Sequence, residues 1–279
     1  MMNSRAQGFS LAELLVVSLV GSIVLGAVYQ TMTTQSRANR QQMAIVSTQQ
    51  SARTGIDVLM SELREVSARK GDIVSATSTS IRFRALQKAG IVCAKDYANN
   101  NRMDVAYQGT AFSQDSLLIF ADNNAGSGLD DDWITVWVGS TDNSATCTFP
   151  GMTSERLHFA SAALTGVELG ALVRSFRVVE YQIIDAGAGA RLQRTDVMAG
   201  SSVDIAESLA TVANQGLRLR YFNGAGTEIS PTTQALREQI VRIEVKVRAR
   251  AIGGQTGANR EFSDSLVNQV FLRGNYKTS

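Results

Sequence analysis

Glu13 is the one charged residue in the 22-residue run from Phe9 to Gln30, where every other side chain is apolar, small or an uncharged polar group. As a helix that run spans roughly 33 Å, enough to cross the hydrocarbon core of a bilayer. A carboxylate near the centre of such a span costs roughly 2.5–3.5 kcal/mol, so its chemistry is electrostatic and it needs a partner. Its place five residues into the span leaves a second reading, a side chain solvated at the headgroup boundary. Two cysteines, Cys93 and Cys147, could form one disulfide in an oxidising compartment or remain two buried thiols. They lie too far apart in sequence to make a zinc cage with the single histidine, His158. An oxygen-rich stretch, 122–132, offers Asp122, Asn124, Asp130 and Asp132 as candidate calcium ligands. It lacks the glutamate that closes an EF-hand loop, and its simpler reading is a solvated turn.

Catalysis finds little support. His158 sits in Ser154-Glu155-Arg156-Leu157-His158 with no Gly-x-Ser-x-Gly elbow and no acid in sequence to orient it. There is no P-loop, so ATP-driven work would belong to another protein. We expect no enzyme and no obligatory cofactor. Twenty-seven basic against 25 acidic residues give no bulk polyelectrolyte character. Locally, however, Arg82/Arg84, Arg218/Arg220 and Arg242/Lys246/Arg248/Arg250 alternate with apolar residues. One sheet could gather them into a stripe for a DNA backbone, although Glu244 interrupts it and a wet sheet face is the plainer reading.

Positioning these groups requires a helix and then a sheet. No proline occurs from Leu11 to about Arg69, and Ile56, Leu59, Met60, Leu63 and Val66 recur at spacings of three and four, an amphipathic stripe. Gly71 is the stop signal. A helix of that length reaches roughly 90 Å. Beyond residue 70 the period becomes two: 80–85, 116–120, 133–138, 176–184, 216–222, 240–252 and 262–272 read as strands. In Val241 to Arg250 every odd position is apolar and every even one charged, one face for a core and one for water. Residues 253–259 turn this strand into a hairpin with the last one, and 186–190 make a second turn. The fold class is therefore α+β, a long N-terminal helix carrying an antiparallel β-rich head.

Met1 to Gly8 followed by Phe9-Ser10-Leu11-Ala12-Glu13-Leu14 resembles the prepilin signature of the type IV pilin superfamily. The resemblance implies a leader of residues 1–8, cleaved between Gly8 and Phe9 by a prepilin peptidase that then methylates the Phe9 amine. It implies that Glu13, the fifth mature residue, pairs with the Phe9 amine of a neighbouring subunit. The mature chain would comprise a helix over 9–69 (9–30 in membrane or filament core, 31–69 amphipathic) and a head over 70–279. An ordinary secretory signal would instead be cut after the apolar run and discarded. The order of Val178-Val179-Glu180-Tyr181, Leu192-Gln193-Arg194, Ser208 to Val212, Leu217 to Phe222, Asn223 to Gly226 and Val270 to Asn275 is similar to that in larger minor pilins and in J-type pseudopilins of type II secretion. Residues 85–175 match neither and read as an insertion.

What the resemblance implies functionally is a minor pilin-like subunit that starts or tips a type IV pilus. Its partners would be the peptidase, other pilins and an inner-membrane assembly platform. It would wait in the bacterial inner membrane as a single-pass protein with a periplasmic head. The alternatives are a J-type pseudopilin and a membrane-anchored periplasmic module binding DNA or calcium.

Overall fold

The computed structural model describes residues 10–96, 101–112, 116–122, 132–147, 149–160, 164–187, 189–252 and 261–273. One helix, α1 (Leu11–Leu63), precedes the strands β1 (Ile73–Ala76), β2 (Ser80–Lys95), β3 (Arg102–Tyr107), β4 (Ser116–Ala121), β5 (Asp132–Asp142), β6 (Thr153–Phe159), β7 (Leu172–Ala186), β8 (Gly189–Asp196), β9 (Ser201–Leu209), β10 (Leu217–Phe222) and β11 (Glu228–Ile229). A one-turn helix, α2 (Gln234–Arg237), leads to β12 (Arg242–Ile252) and β13 (Glu261–Phe271). The α+β layout is the one the periodicity predicts.

The helix stops at Leu63, six residues before the position read from sequence. Arg64, Glu65 and Val66 close tight turns on Met60, Glu62 and Leu63, and the Asp72 carboxylate then accepts the Ser67 N–H at 2.9 Å. The Asp72 N–H returns to the Ser67 carbonyl, folding 67–72 into a loop beyond the end of the α-helix. Gly71, in the left-handed region at φ 72°, ends the 3-10 turn 68–70 rather than the helix itself. Val66 is still buried, so the apolar stripe outlives the helix that suggested it.

Two cores divide the head. In the first, Ala52, Ile56, Leu59, Met60 and Leu63 of α1 lie on the alternate residues Ile243, Val245, Val247 and Ala249 of β12, with Leu192, Leu209, Leu219 and Tyr181 around them. The helix approaches β9 so closely that a Cβ on Gly55 would stand 2.7 Å from the Ala206 Cβ. β12 pairs with β13 along its whole length, from Arg242↔Phe271 to Ile252↔Glu261. The turn joining them, 253–260, lies outside the described residues.

The second core fills residues 85–175, the stretch the sequence left unplaced. β2 pairs with β3, β3 with β6, β6 with β5, β5 with β4, β4 with β7, and β7 returns to β2. That circuit is a closed antiparallel barrel of six strands. Its interior holds Val92, Met103, Val105, Leu117, Ile119, Val138, Leu157, Phe159 and Val173, with Phe112 and Leu164 also buried in the cluster. At Gly90 β2 leaves one barrel neighbour for the other, and a Cβ there would meet Val105 Cγ1 at 2.6 Å. β2 and β7 are long because they serve both cores. The lower end of β7 turns back beside Ala44, Ser47 and Thr48 of α1, while its upper end is in the barrel. The barrel therefore caps the head at the end far from the apolar run.

Strands β3 and β6 each bury a carboxylate, Asp104 on the face opposite Met103 and Val105, and Glu155 in line with Leu157 and Phe159. Both acids are satisfied. Asp104 accepts Arg156 Nε at 2.7 Å and Nη2 at 3.0 Å, and the Thr146 N–H at 2.7 Å. Glu155 accepts the Phe112 N–H at 2.5 Å.

Candidate functional site

The first turn of α1 carries the chemistry. Ser10 is in extended conformation and its hydroxyl accepts the Ala12 N–H at 3.3 Å, while the Glu13 carboxylate accepts the Ser10 N–H, also at 3.3 Å. This is a capping box, in which serine and glutamate three residues apart satisfy N–H groups that a helix start leaves without partners. Its signature, Ser-x-x-Glu before an apolar run, was present in the sequence and was missed, because Glu13 was read only for its charge. Ser10 is the residue that reasoning overlooked. The carboxylate also sits where the helix dipole is positive, which favours an anion. Gly8 and Phe9 lie outside the described residues.

Behind this turn the helix is built for lipid. It is long and apolar enough to cross a membrane, and none of its most apolar window is buried against the head. The hydroxyls within and just beyond the span are turned inward: Ser18 donates to the Leu15 carbonyl at 2.9 Å, Ser22 to Leu19 at 2.8 Å and Thr31 to Ala27 at 2.9 Å. Such bonds hide polar groups where lipid offers no partner. Gly21 and Gly26 do not interrupt the helix. The same rod then becomes the core of the head, so removing the apolar half as a conventional signal would still leave a helix designed around continuity with it.

Residues 3–29 match the family described as the prokaryotic N-terminal methylation motif. The chain is a type IV pilin-like protein. The match brackets Gly8, Phe9, Ser10 and Glu13; it supports a pilin- or pseudopilin-type substrate of prepilin peptidase, implies assembly with other pilins, and is consistent with a membrane anchor. No curated protein and no solved structure matches it.

In the head, Cys93 and Cys147 form a disulfide with Cα atoms 5.8 Å apart. The bond ties the segment after β5 to the outside of the barrel, and the Thr146–Asp104–Arg156 bonds hold the same segment from beneath. Together they make a strap across β3. Bonding to Arg156 and Thr146 outweighs burial and holds the Asp104 carboxyl below its usual range.

The remaining candidates separate. Asn124 and Asp130 lie outside the described residues. Asp122 donates its N–H to Gly166 at 2.8 Å, and Asp132 accepts the Trp133 N–H at 2.7 Å with Lys70 Nζ 4.0 Å away. Among the described residues no group of three or more metal-binding side chains converges. His158 does have an orienting acid, contrary to the sequence reading: Nε2 lies 2.6 Å from Asp142 Oδ2, brought over from β5. Bonds from Ser144, then from His158, hold the Asp142 carboxyl below its usual range. The Ser144 hydroxyl points to Asp142 rather than to the imidazole, so the acid–histidine pair has no aligned nucleophile there.

The alternating cations do not form one stripe. Arg82 pairs with Glu180 at 2.7 Å and Arg84 lies over the Phe176 ring at 5.0 Å. β7, β8 and β9 separate these from β12.

Proposed function

We propose that this chain is a minor pilin that starts or tips a type IV filament, held until assembly in the bacterial inner membrane with its head in the periplasm. Its role is structural, not catalytic. The observation that carries the reading is the methylation motif at residues 3–29 running without a break into a helix that is also the core of the head. Cleavage after Gly8 frees an amine on Phe9 one turn before Glu13. An acid and an amine of neighbouring subunits would then set the axial register in a medium where opposite charges attract strongly.

The barrel supports the terminal position. Subunits packed through parallel helices stack their heads along the filament axis, and a module projecting past the helix end occupies the space where the next head would sit. A chain with that overhang fits best where nothing lies above it. The disulfide supports a head outside the cytoplasm, since such bonds persist in oxidising compartments.

Gold labelling of an epitope inserted in an exposed barrel turn tests this placement. Labels at filament ends, with few filaments in cells lacking the chain, are the expected result. Labels spread along the shaft, or a chain that remains unprocessed beside active peptidase, would refute it.

A further inference from the structure

The last strand leaves an edge of the sheet bare. Arg248 gives both of its backbone groups to the β9–β10 side, accepting from the Ala210 N–H and donating to the Gly216 carbonyl, each at 2.9 Å. The alternate residues Ile243, Val245, Val247 and Ala249 therefore turn theirs toward β13, where they meet Val270, Asn268, Leu266 and Asp264. Ser263, Ser265, Val267, Gln269 and Phe271 are left with N–H and C=O groups directed away from β12. Beyond Phe271 the Arg273 N–H is taken by the Val66 carbonyl at 3.0 Å, and Asn268 Oδ1 accepts the Gln269 N–H at 2.9 Å. Among the described residues nothing bonds the outward backbone groups of Ser263, Ser265, Val267 and Phe271. Natural edges are usually blunted by proline, a bulge or charge. β13 pairs with β12 without a register shift and contains no proline. Between 263 and 271 its single charge is Asp264, which accepts the Gln49 amide at 2.9 Å. On the outer face Val267 is 55 % exposed and Phe271 68 %.

The geometry points to this edge as the seat of one more antiparallel strand, supplied by the head of a different pilin-type subunit. The inference rests on the assembly reading above, in which parallel helices bring heads side by side. From Ser263 to Phe271 the edge runs roughly 27 Å and repeats its outward groups every ~6.8 Å. Main-chain bonds give an added strand its affinity and side chains its selectivity. The partner strand must place apolar residues beside Val267 and Phe271, and it needs no countercharge, because Ser263, Ser265, Val267, Gln269 and Phe271 carry none. A second copy of this chain does not fit. β13 runs in the same direction as α1, since Gln49 meets Asp264 near one end and Val66 meets Arg273 at the other. Two copies anchored in one membrane would set β13 parallel to its own image. Related by a two-fold axis, both strands would direct the same residues inward at the same height. The slanted bonds of a parallel pair instead need inward residues on one strand opposite outward residues on the other. An antiparallel pair of copies would point their helices in opposite directions.

Proline separates the edge from the fold. At an outward position it removes an N–H that β12 does not use and puts its ring where a partner strand would lie. Ser265→Pro and the conservative Ser265→Thr, which keeps the N–H, are compared with the wild type as full chains. Urea midpoints in an uncharged detergent read the fold, and immunoblots of sheared filaments against the processed membrane pool read incorporation. S265P should keep wild-type processing and midpoint while its incorporation falls at least about tenfold, the scale of one or two hydrogen bonds. S265T should incorporate like the wild type. Val267→Pro repeats the test at a second outward N–H and should behave like S265P. If both proline variants unfold at lower urea than S265T, those N–H groups are engaged inside the subunit and the inference fails. Wild-type incorporation of both proline variants overturns it and leaves the pilin reading intact. A Val267→Cys chain found in filaments chiefly as a disulfide-linked pair of copies would overturn the choice of partner. Absence of the wild type itself from filaments would remove the assembly reading, and this inference with it.

Discussion

Glu13 has two partners to choose between, and they differ in kind. Within one subunit the carboxylate caps its own helix through the Ser10 N–H, a bond that needs an acceptor but no charge. Between subunits, in the proposed assembly, it would meet an amine, which needs the charge. Glu13→Gln keeps an acceptor and loses the charge, so processing should persist while incorporation into sheared filaments falls at least about a hundredfold. That scale follows from roughly 3–5 kcal/mol for breaking a buried ion pair. Ser10→Ala removes only a cap, about 1 kcal/mol, and should cost incorporation no more than about fivefold. Immunoblots of filaments against the processed membrane pool read both, and wild-type incorporation of the glutamine variant would remove the charge-pair account. Asp72 allows a second prediction at this scale. Burial pushes its carboxyl up to about 6, against the opposing pull of the Ser67 N–H and of Arg84 and Arg174, and one of its oxygens is buried without a partner. With the folded pKa above the unfolded one, its contribution to stability is complete below pH ~4 and is lost as pH rises through about 6. Asp72→Asn should therefore match the wild type in urea midpoint near pH 4 and exceed it above pH 7, by up to about 3 kcal/mol. Equal midpoints at high pH would contradict the burial argument.

Among the elements, the strap after β5 depends on two independent fastenings, the disulfide and the Asp104 cluster. Cys93 and Cys147 are 54 residues apart, and closing a loop of that size stabilises by up to about 4 kcal/mol through the unfolded chain. Cys93→Ser should lower stability by about 2–4 kcal/mol and expose 143–152 to protease, while the α1–β12 core keeps its amide-exchange protection. Uniform loss of protection across both cores would mean that they unfold as one unit. The sequence disclosed these elements unevenly. β12 was legible because one face meets the helix and the other meets water, so alternation was strict. β6 was less plain, since Glu155 stands in line with the buried Leu157 and Phe159 and is tolerable there only once the Phe112 N–H is in place. The helix end was misplaced for a related reason: the Asp72 side chain, not a breaker residue, closes the loop that stops it.

At the scale of the molecule, the barrel is an excursion from a sheet that could close without it. β2 and β7 are already paired at Ala85↔Arg177, below the barrel. Replacing residues 87–175 by a short Asn-Gly turn should leave a head that folds on α1 and is still processed, but that no longer starts or tips filaments. Urea unfolding, peptidase cleavage and filament counts check the three parts, and normal filament numbers would separate the barrel from assembly. The sequence by itself determined the leader motif, the membrane-competent run with its single acid, the helix that follows and the strand-rich class of the head. Each of these is a local pattern of period, charge or motif, written in consecutive residues. Only the tertiary structure decided that residues 85–175 close into a barrel, and that Arg220 takes both the Glu244 and Glu228 carboxylates on the outer face. Those outcomes depend on which strands become neighbours, and pairing between residues a hundred positions apart leaves no local pattern to read.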